Sequence, residues 1–250
     1  LVRWFRWYSR RYLTRQFHSV RLASAGRPIV QAETPLVVFL NHAAWWDPLV
    51  GLCLAERVFP NRTAYAPIEA EALGRYRFME RVGLFGIEPG TRHGAVRFLR
   101  VAQAVIAMPN AALWITPEGR FADPRQRPAK FEPGLAHLAR RMNSGVLLPL
   151  ALEYPFWEER FPEALATFGE PIRAEEHRGR KIDEWSSLLA NHLEAAQDAL
   201  AEQSMRRDPN EFEILLRGSA GVGGVYDIWR RLKASVQGRE FRPEHGEDNR

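Results

Sequence analysis

The chain is poor in sulfur, in long apolar runs and, at its start, in negative charge, and each shortage excludes something. Cys53 is the only cysteine. Neither a disulfide framework nor a cysteine-built zinc site follows from one thiol, and a reducing, cytosolic setting is the expectation. The longest stretch without Asp, Glu, Lys or Arg runs from Val101 to Pro117 and is broken by Pro109-Asn110. It falls short of the roughly 20 apolar residues that a spanning helix needs, so no transmembrane helix is expected. Residues 1–22 hold no uninterrupted apolar stretch of the kind a secretory signal requires. No Gly-x-Ser-x-Gly occurs either, which removes the strand-to-helix serine elbow of a hydrolase.

What is present is enough for a large core: 250 residues, 46% of them hydrophobic. Apolar runs of strand length alternate with helical patterns, which predicts an α/β fold, a central mostly parallel sheet flanked by helices, with amphipathic helices near both ends. Leu36 to Leu40 (LVVFL) and Ala111 to Ile115 (AALWI) read as buried strands bounded by turn residues. Shorter strands are expected at Ile29-Val30, near Ala64-Tyr65 and over Gly83 to Glu88, and another over Val146 to Leu152. In the last, Pro149 points to a sheet edge or a bulge. Helices are expected from Pro48 to Glu56, Gly94 to Met108 and Gly134 to Met142, then over Asp183 to Met205 with Asp183 as its cap. A strand over Phe212 to Leu216 precedes a glycine-rich stretch, Gly218 to Gly224, that misses the Gly-x-Gly-x-x-Gly register of a dinucleotide loop and reads as a hinge. Val225 to Val236 is a second basic amphipathic stretch, and Arg239 to Arg250 has the composition of a disordered tail. Three segments follow: a basic amphipathic helix over 1–24, an α/β domain over 25–207, and a basic helix with tail over 208–250.

The net charge of +5 is unevenly placed. Residues 1–22 carry six arginines, Arg3, Arg6, Arg10, Arg11, Arg15 and Arg21, and no acid. On a helical wheel Leu1, Trp4, Phe5, Tyr8 and Tyr12 share one face, with Arg3, Arg6 and Arg10 opposite. That pattern suits a monotopic anchor on an anionic membrane, aromatics at headgroup depth and arginines on the lipid phosphates. It equally suits an amphipathic helix packed on the protein's own core. These arginines interleave with aromatics and match no nucleic-acid reading module, so no nucleic acid is expected as a partner.

The chemistry concentrates in two loops that follow the two clearest strands: Asn41-His42-Ala43-Ala44-Trp45-Trp46-Asp47 and Thr116-Pro117-Glu118-Gly119-Arg120. Parallel strands of an α/β sheet end on one rim, where ligands bind. An imidazole with an ordinary pKa of about 6.5 can take a proton from a hydroxyl near neutral pH, and Asp47 is close enough in sequence for a turn to bring its carboxylate to His42. Without a serine or cysteine nucleophile, such a pair suits direct attack of an activated hydroxyl on a carbonyl. Asp47-Pro48 also has the form of a helix N-cap. The residues alone leave Asp47 as either cap or partner.

Taken in order, four blocks resemble the glycerolipid and lysophospholipid acyltransferase family: Asn41 to Asp47 (Asn-His-x4-Asp), Gly83 to Pro89, Pro117 to Arg120 (Pro-Glu-Gly), and Leu148-Pro149-Leu150. The likeness spans roughly residues 25–175. It implies acyl transfer from a thioester, acyl-CoA or acyl carrier protein, to a lipid hydroxyl of the 1-acylglycerol-3-phosphate kind, with no metal or bound cofactor and no covalent acyl-enzyme. By the same resemblance His42 is the base, Asp47 its orienting partner, and Asn41, Glu118 and Gly119 line the substrate site; Arg92 and Arg120, neither at the family's matching position, are the candidates to hold an acceptor phosphate there. It implies a peripheral protein on the inner, cytoplasmic face of the membrane. Three departures stand out: Ala44 replaces a common serine, Phe121 follows Glu-Gly-Arg, and Pro89 occupies the place of a phosphate-binding arginine. The last raises a glycolipid hydroxyl as a second acceptor class. A non-catalytic, membrane-associated lipid-binding member of the same fold is the alternative function.

Overall fold

The computed structural model describes residues 2–220. The Val225 to Val236 stretch, the tail and most of the glycine-rich hinge lie outside the described residues. The order of elements is α1 (Val2–Gln16), β1 (Ser19–Ala23), β2 (Leu36–Leu40), α2 (Asp47–Val58), β3 (Thr63–Glu69), α3 (Ala70–Arg75), β4 (Leu84–Ile87), α4 (Arg92–Ala107), β5 (Ala111–Ile115), α5 (Gly134–Arg141), β6 (Val146–Glu153), β7 (Glu163–Phe168), β8 (Ile172–Arg173), α6 (Ile182–Arg206) and β9 (Phe212–Arg217), with a 3₁₀ turn at Arg77–Val82 between α3 and β4. The strands form one sheet in the order β4-β3-β5-β2-β6-β7-β1-β9, with β8 pairing β6. Pairs β4-β3, β3-β5, β5-β2 and β2-β6 are parallel. Five consecutive strands therefore end on the same rim. That rim carries the segments after Leu40, Ile115, Ile87 and Glu153.

The centre of the sheet is buried on both faces, which is why LVVFL and AALWI are apolar throughout instead of alternating. Leu36, Val38 and Leu40 face a cluster with Leu13 of α1 and Leu54 of α2. Val37 and Phe39 point the other way, against Phe98 of α4, Leu138 of α5 and Leu193 of α6. The sheet thus separates α1 and α2 from α4, α5 and α6.

Four local expectations are corrected. Ile29-Val30 forms no strand, and Ile29 is 99% exposed. The strand in that region is β1, inside the segment expected to be helical: α1 stops at Gln16, and Ser19–Ala23 pairs β7 and β9. Arg21, which hid this strand, is buried because its guanidinium meets Glu163 at 3.1 Å. Pro149 lies on an interior strand, not an edge, opposite Phe39 of β2. Its carbonyl accepts from Gly169 N–H at 3.0 Å, so its nitrogen faces the same side, at the gap where pairing passes from β8 to β7. No donor is needed there. Finally, Asp183 lies within the first turn of α6; the cap is Lys181, whose N–H donates to the Glu184 carboxylate at 2.8 Å.

Candidate active site

The loop after β2 folds back on itself because α2 begins at Asp47 with Pro48 in its first turn. Asp47 is 1% exposed, and a carboxylate so placed must have donors. It has three. Nδ1 of His42 lies 2.7 Å from Oδ2, the Ala44 N–H donates to the same oxygen at 3.0 Å, and the Tyr154 hydroxyl donates to Oδ1 at 2.6 Å. Asp47 makes no side-chain cap to the helix. Of the two readings left open by the sequence, the contact with His42 is the one the fold makes. A carboxylate accepts hydrogen bonds, so the tautomer this contact favours has its hydrogen on Nδ1 and its lone pair on Nε2. The His42 side chain keeps 19% of its surface, with the Phe121 ring 4.3 Å from the imidazole, centroid to centroid.

Tyr154 carries no signal in the sequence: it is 107 residues from its partner. It follows β6, which neighbours β2, and burial together with the Asp47 charge pushes its hydroxyl well above the ordinary tyrosine range. It therefore stays protonated and remains a donor.

The other expected site residues are brought to the same rim, but not all face a ligand. Asn41 is fully buried: its amide donates to Leu152 O at 3.1 Å and its carbonyl accepts from Leu152 N–H at 2.8 Å. Through these two contacts the side chain clamps β2 to β6 and fixes the residue before His42. Glu118 is also buried and accepts the His42 backbone N–H at 2.7 Å. Gly119, at φ +63°, closes the turn through its N–H to Thr116 O at 3.1 Å. Arg120 is exposed beside them, and its charge acts on Glu118. Arg92 opens α4 and is exposed, with Thr91 capping the helix through Gly94 N–H at 2.9 Å. Arg92 follows β4, which is three strands from β2, about 14 Å across the sheet at the usual strand spacing. Cys53 is buried in α2, and burial pushes its thiol up to about 11, which keeps it protonated. Among the described residues no group of His, Cys, Asp and Glu is arranged to hold a metal ion.

A histidine and a buried carboxylate, held at the mouth of a parallel sheet beside a Pro-Glu-Gly turn, define the class. The family described as Acyltransferase matches residues 21–153, more than half of the chain, and the protein belongs to it: the glycerolipid acyltransferase family, whose members include 1-acylglycerol-3-phosphate O-acyltransferases. In general terms it is an acyltransferase, with an acyl donor and a lipid acceptor. No curated protein matches the chain.

Two outcomes follow from these contacts. Burial raises the Glu118 carboxyl above its usual 4.5, against the opposing pull of the His42 N–H. The folded protein then takes up a proton before the unfolded chain does, so this group's contribution to stability grows as pH falls through the raised value and levels off below 4.5. Glu118→Gln is expected to remove that component from melting temperatures measured across the acid range. Tyr154→Phe strips a donor from a buried carboxylate, a loss of about 1–3 kcal/mol in stability. Because the carboxylate that holds the imidazole loses one of its three donors, kcat/KM is expected to fall in the same variant. A variant that melts lower but keeps kcat/KM shows Tyr154 to be only a packing residue.

Proposed function

We propose that the protein transfers a fatty acyl group from an acyl-CoA or acyl carrier protein thioester to the hydroxyl of a lipid, with His42 as general base. The observation that carries this reading is the 2.7 Å contact between His42 Nδ1 and a buried Asp47, which leaves Nε2 free on the open side of the ring. Nε2 takes the hydroxyl proton as the acceptor oxygen attacks the thioester carbonyl carbon. The carbon–sulfur bond of the tetrahedral intermediate then breaks, and the leaving thiolate takes the proton back from the imidazolium. The products are an ester and a free thiol. Asp47 holds the tautomer and offsets the positive charge that appears on the ring between the two proton transfers. Since Glu118 accepts the His42 peptide N–H and Asn41, the residue before it, is clamped to Leu152, their role in this scheme is to position the base. The His42–Asp47 contact weighs against a non-catalytic lipid-binding member of the fold, which has no use for a carboxylate buried under an imidazole.

For the acceptor, a lysophospholipid with a phosphate monoester is the reading that the family supports. Arg92 and Arg120 are the exposed cations of the expected set on the rim. A neutral glycolipid is the second reading, favoured by one observation: the turn between β4 and α4 presents Pro89, which has no side-chain donor, while Phe121, 57% exposed, lies against the His42 ring and Trp45, 62% exposed, follows in the same loop, both rings able to stack on a sugar.

His42→Ala is expected to fold normally and to lose about 10²- to 10⁴-fold in turnover, the usual contribution of a general base. Asp47→Asn is expected to lose comparable activity, since an amide at that position presents a donor where three donors converge. Thioester release with purified protein checks both, and a folded His42→Ala variant of near-normal rate refutes the assignment. Supplying lysophosphatidate and a glycolipid at equal concentration separates the acceptors. A strong preference for lysophosphatidate that disappears in Arg92→Ala or Arg120→Ala establishes phosphate recognition by a displaced arginine and removes the glycolipid reading.

A further inference from the structure

A cavity of about 190 Å³ lies on the α6 face of the sheet, under the proline-rich loop that follows the Pro-Glu-Gly turn. Its sides are the end of β6, the stretch of α6 around Gln197, and the loop carrying Pro124, Arg125 and Arg127. Residues of a strand alternate between faces. Ala151 packs in a cluster with Ala196 and Leu200 of α6, so Glu153, two residues on, is turned the same way. Neither His42 nor Asp47 lines this cavity. It is nevertheless joined to their site, because the Ala122 N–H at the start of the same loop donates to His42 O at 2.9 Å.

The polar atoms of the walls do not balance. Gln197 is 7% exposed; its amide nitrogen donates to Pro124 O at 3.2 Å, while Oε1 has no partner among the described residues. Glu153 Oε2 is likewise buried without a partner. The donors around them are engaged elsewhere. Arg125 closes on Asp123 through two guanidinium nitrogens, at 2.9 and 2.7 Å. Arg127 donates to Pro124 O and, at 2.6 Å, to Asp198, with Glu194 at 4.0 Å. The charge of Arg125 reaches Glu153, but no ion pair joins them. With each arginine of the walls matched by an aspartate, two acceptors and one formal negative charge are left over. Buried acceptors without donors destabilise a fold, and their pairing on one cavity marks the place of a donor.

We propose that this cavity binds a primary ammonium group, with Glu153 and Gln197 Oε1 accepting its N–H bonds and Ala151, Leu200 and Ala201 packing on the carbon atoms that carry it. An anion is a poor occupant, since the wall donors are taken and Glu153 repels it. A divalent metal requires more oxygens than the two left open. A neutral hydroxyl leaves the charge of Glu153 unbalanced. The cavity is several times the roughly 30 Å³ share of one water, so it admits a short alkyl chain with the nitrogen. Such a group arrives on a lipid headgroup or on a free amine. Leu152 and Tyr154, on either side of Glu153, hold Asn41 and Asp47. An occupant therefore sits one residue away from the contacts that position His42.

Isothermal titration of the whole chain, at constant ionic strength, with ethanolamine, ethylene glycol and tetramethylammonium separates N–H donation from a hydroxyl and from charge alone. Saturable binding of ethanolamine is expected, about tenfold or more tighter than either control, because its bond to a carboxylate is charge-assisted. Glu153→Gln removes the charge at constant shape and is expected to weaken that binding by about tenfold or more, without lowering the melting temperature of the free protein. Ala201→Leu, which fills the cavity from α6, is expected to abolish it. Glycerophosphoethanolamine distinguishes the sources: tighter binding than ethanolamine assigns the cavity to a lipid headgroup, weaker binding to a free amine. Absence of saturable binding overturns the proposal and leaves the cavity to water. So does equal binding of either control, or unchanged affinity in Glu153→Gln. Titration is scored without turnover, so its failure leaves the acyl-transfer reading standing, and the reverse holds.

Discussion

A carboxylate with almost no exposed surface is the constraint around which the rim is organised. Asp47 is accommodated in that place because donors converge on it, two from the loop after β2, an imidazole and a backbone N–H, and one from the end of β6, a phenol. Their convergence requires β2 and β6 to be neighbours in register, which the reciprocal amide contacts of Asn41 with Leu152 secure. It also requires α2 to start where it does, since the Asp47 side chain is directed by the first helical residue. Seen this way, the apolar strands serve as a jig that brings polar loops within hydrogen-bond distance. The burial that stabilises the sheet also gives the His42–Asp47 contact its low-dielectric surroundings.

Local signals in the sequence carried the parallel core and the motif loops. LVVFL and AALWI are apolar runs of strand length closed by turn residues, and the rule that parallel strands end on one rim brings their following loops together without further information. What could not be read is whatever depends on a partner far along the chain. An arginine inside SVRLA argues against a buried strand until Glu163, 142 residues away, is placed beside it. Pro149 argues for an edge until the change of partner from β8 to β7 is known. The arginines of α1 look like a lipid-facing stripe until Glu56 is found beneath two of them. Tyr154 belongs to the same class, a tyrosine at a strand end with nothing local to set it apart.

Asn41 and Glu118 show a different limit. Both lie on the motif loops that the sequence marks, and their side chains hold Leu152 and the His42 peptide. The sequence marks such positions without saying which neighbour each side chain holds.

The two ion pairs on Glu56 make α2 a mechanical link. Asp47 opens this helix, and Glu56 lies nine residues further on, about 13 Å along a rigid α-helical axis. Arg6 and Arg10 grip the far end, while the imidazole rests on the near end. α1 is joined by a single stiff strut to the carboxylate beneath His42. The packing of α1 on α2 and the carboxylate beneath His42 thus belong to one rigid helix.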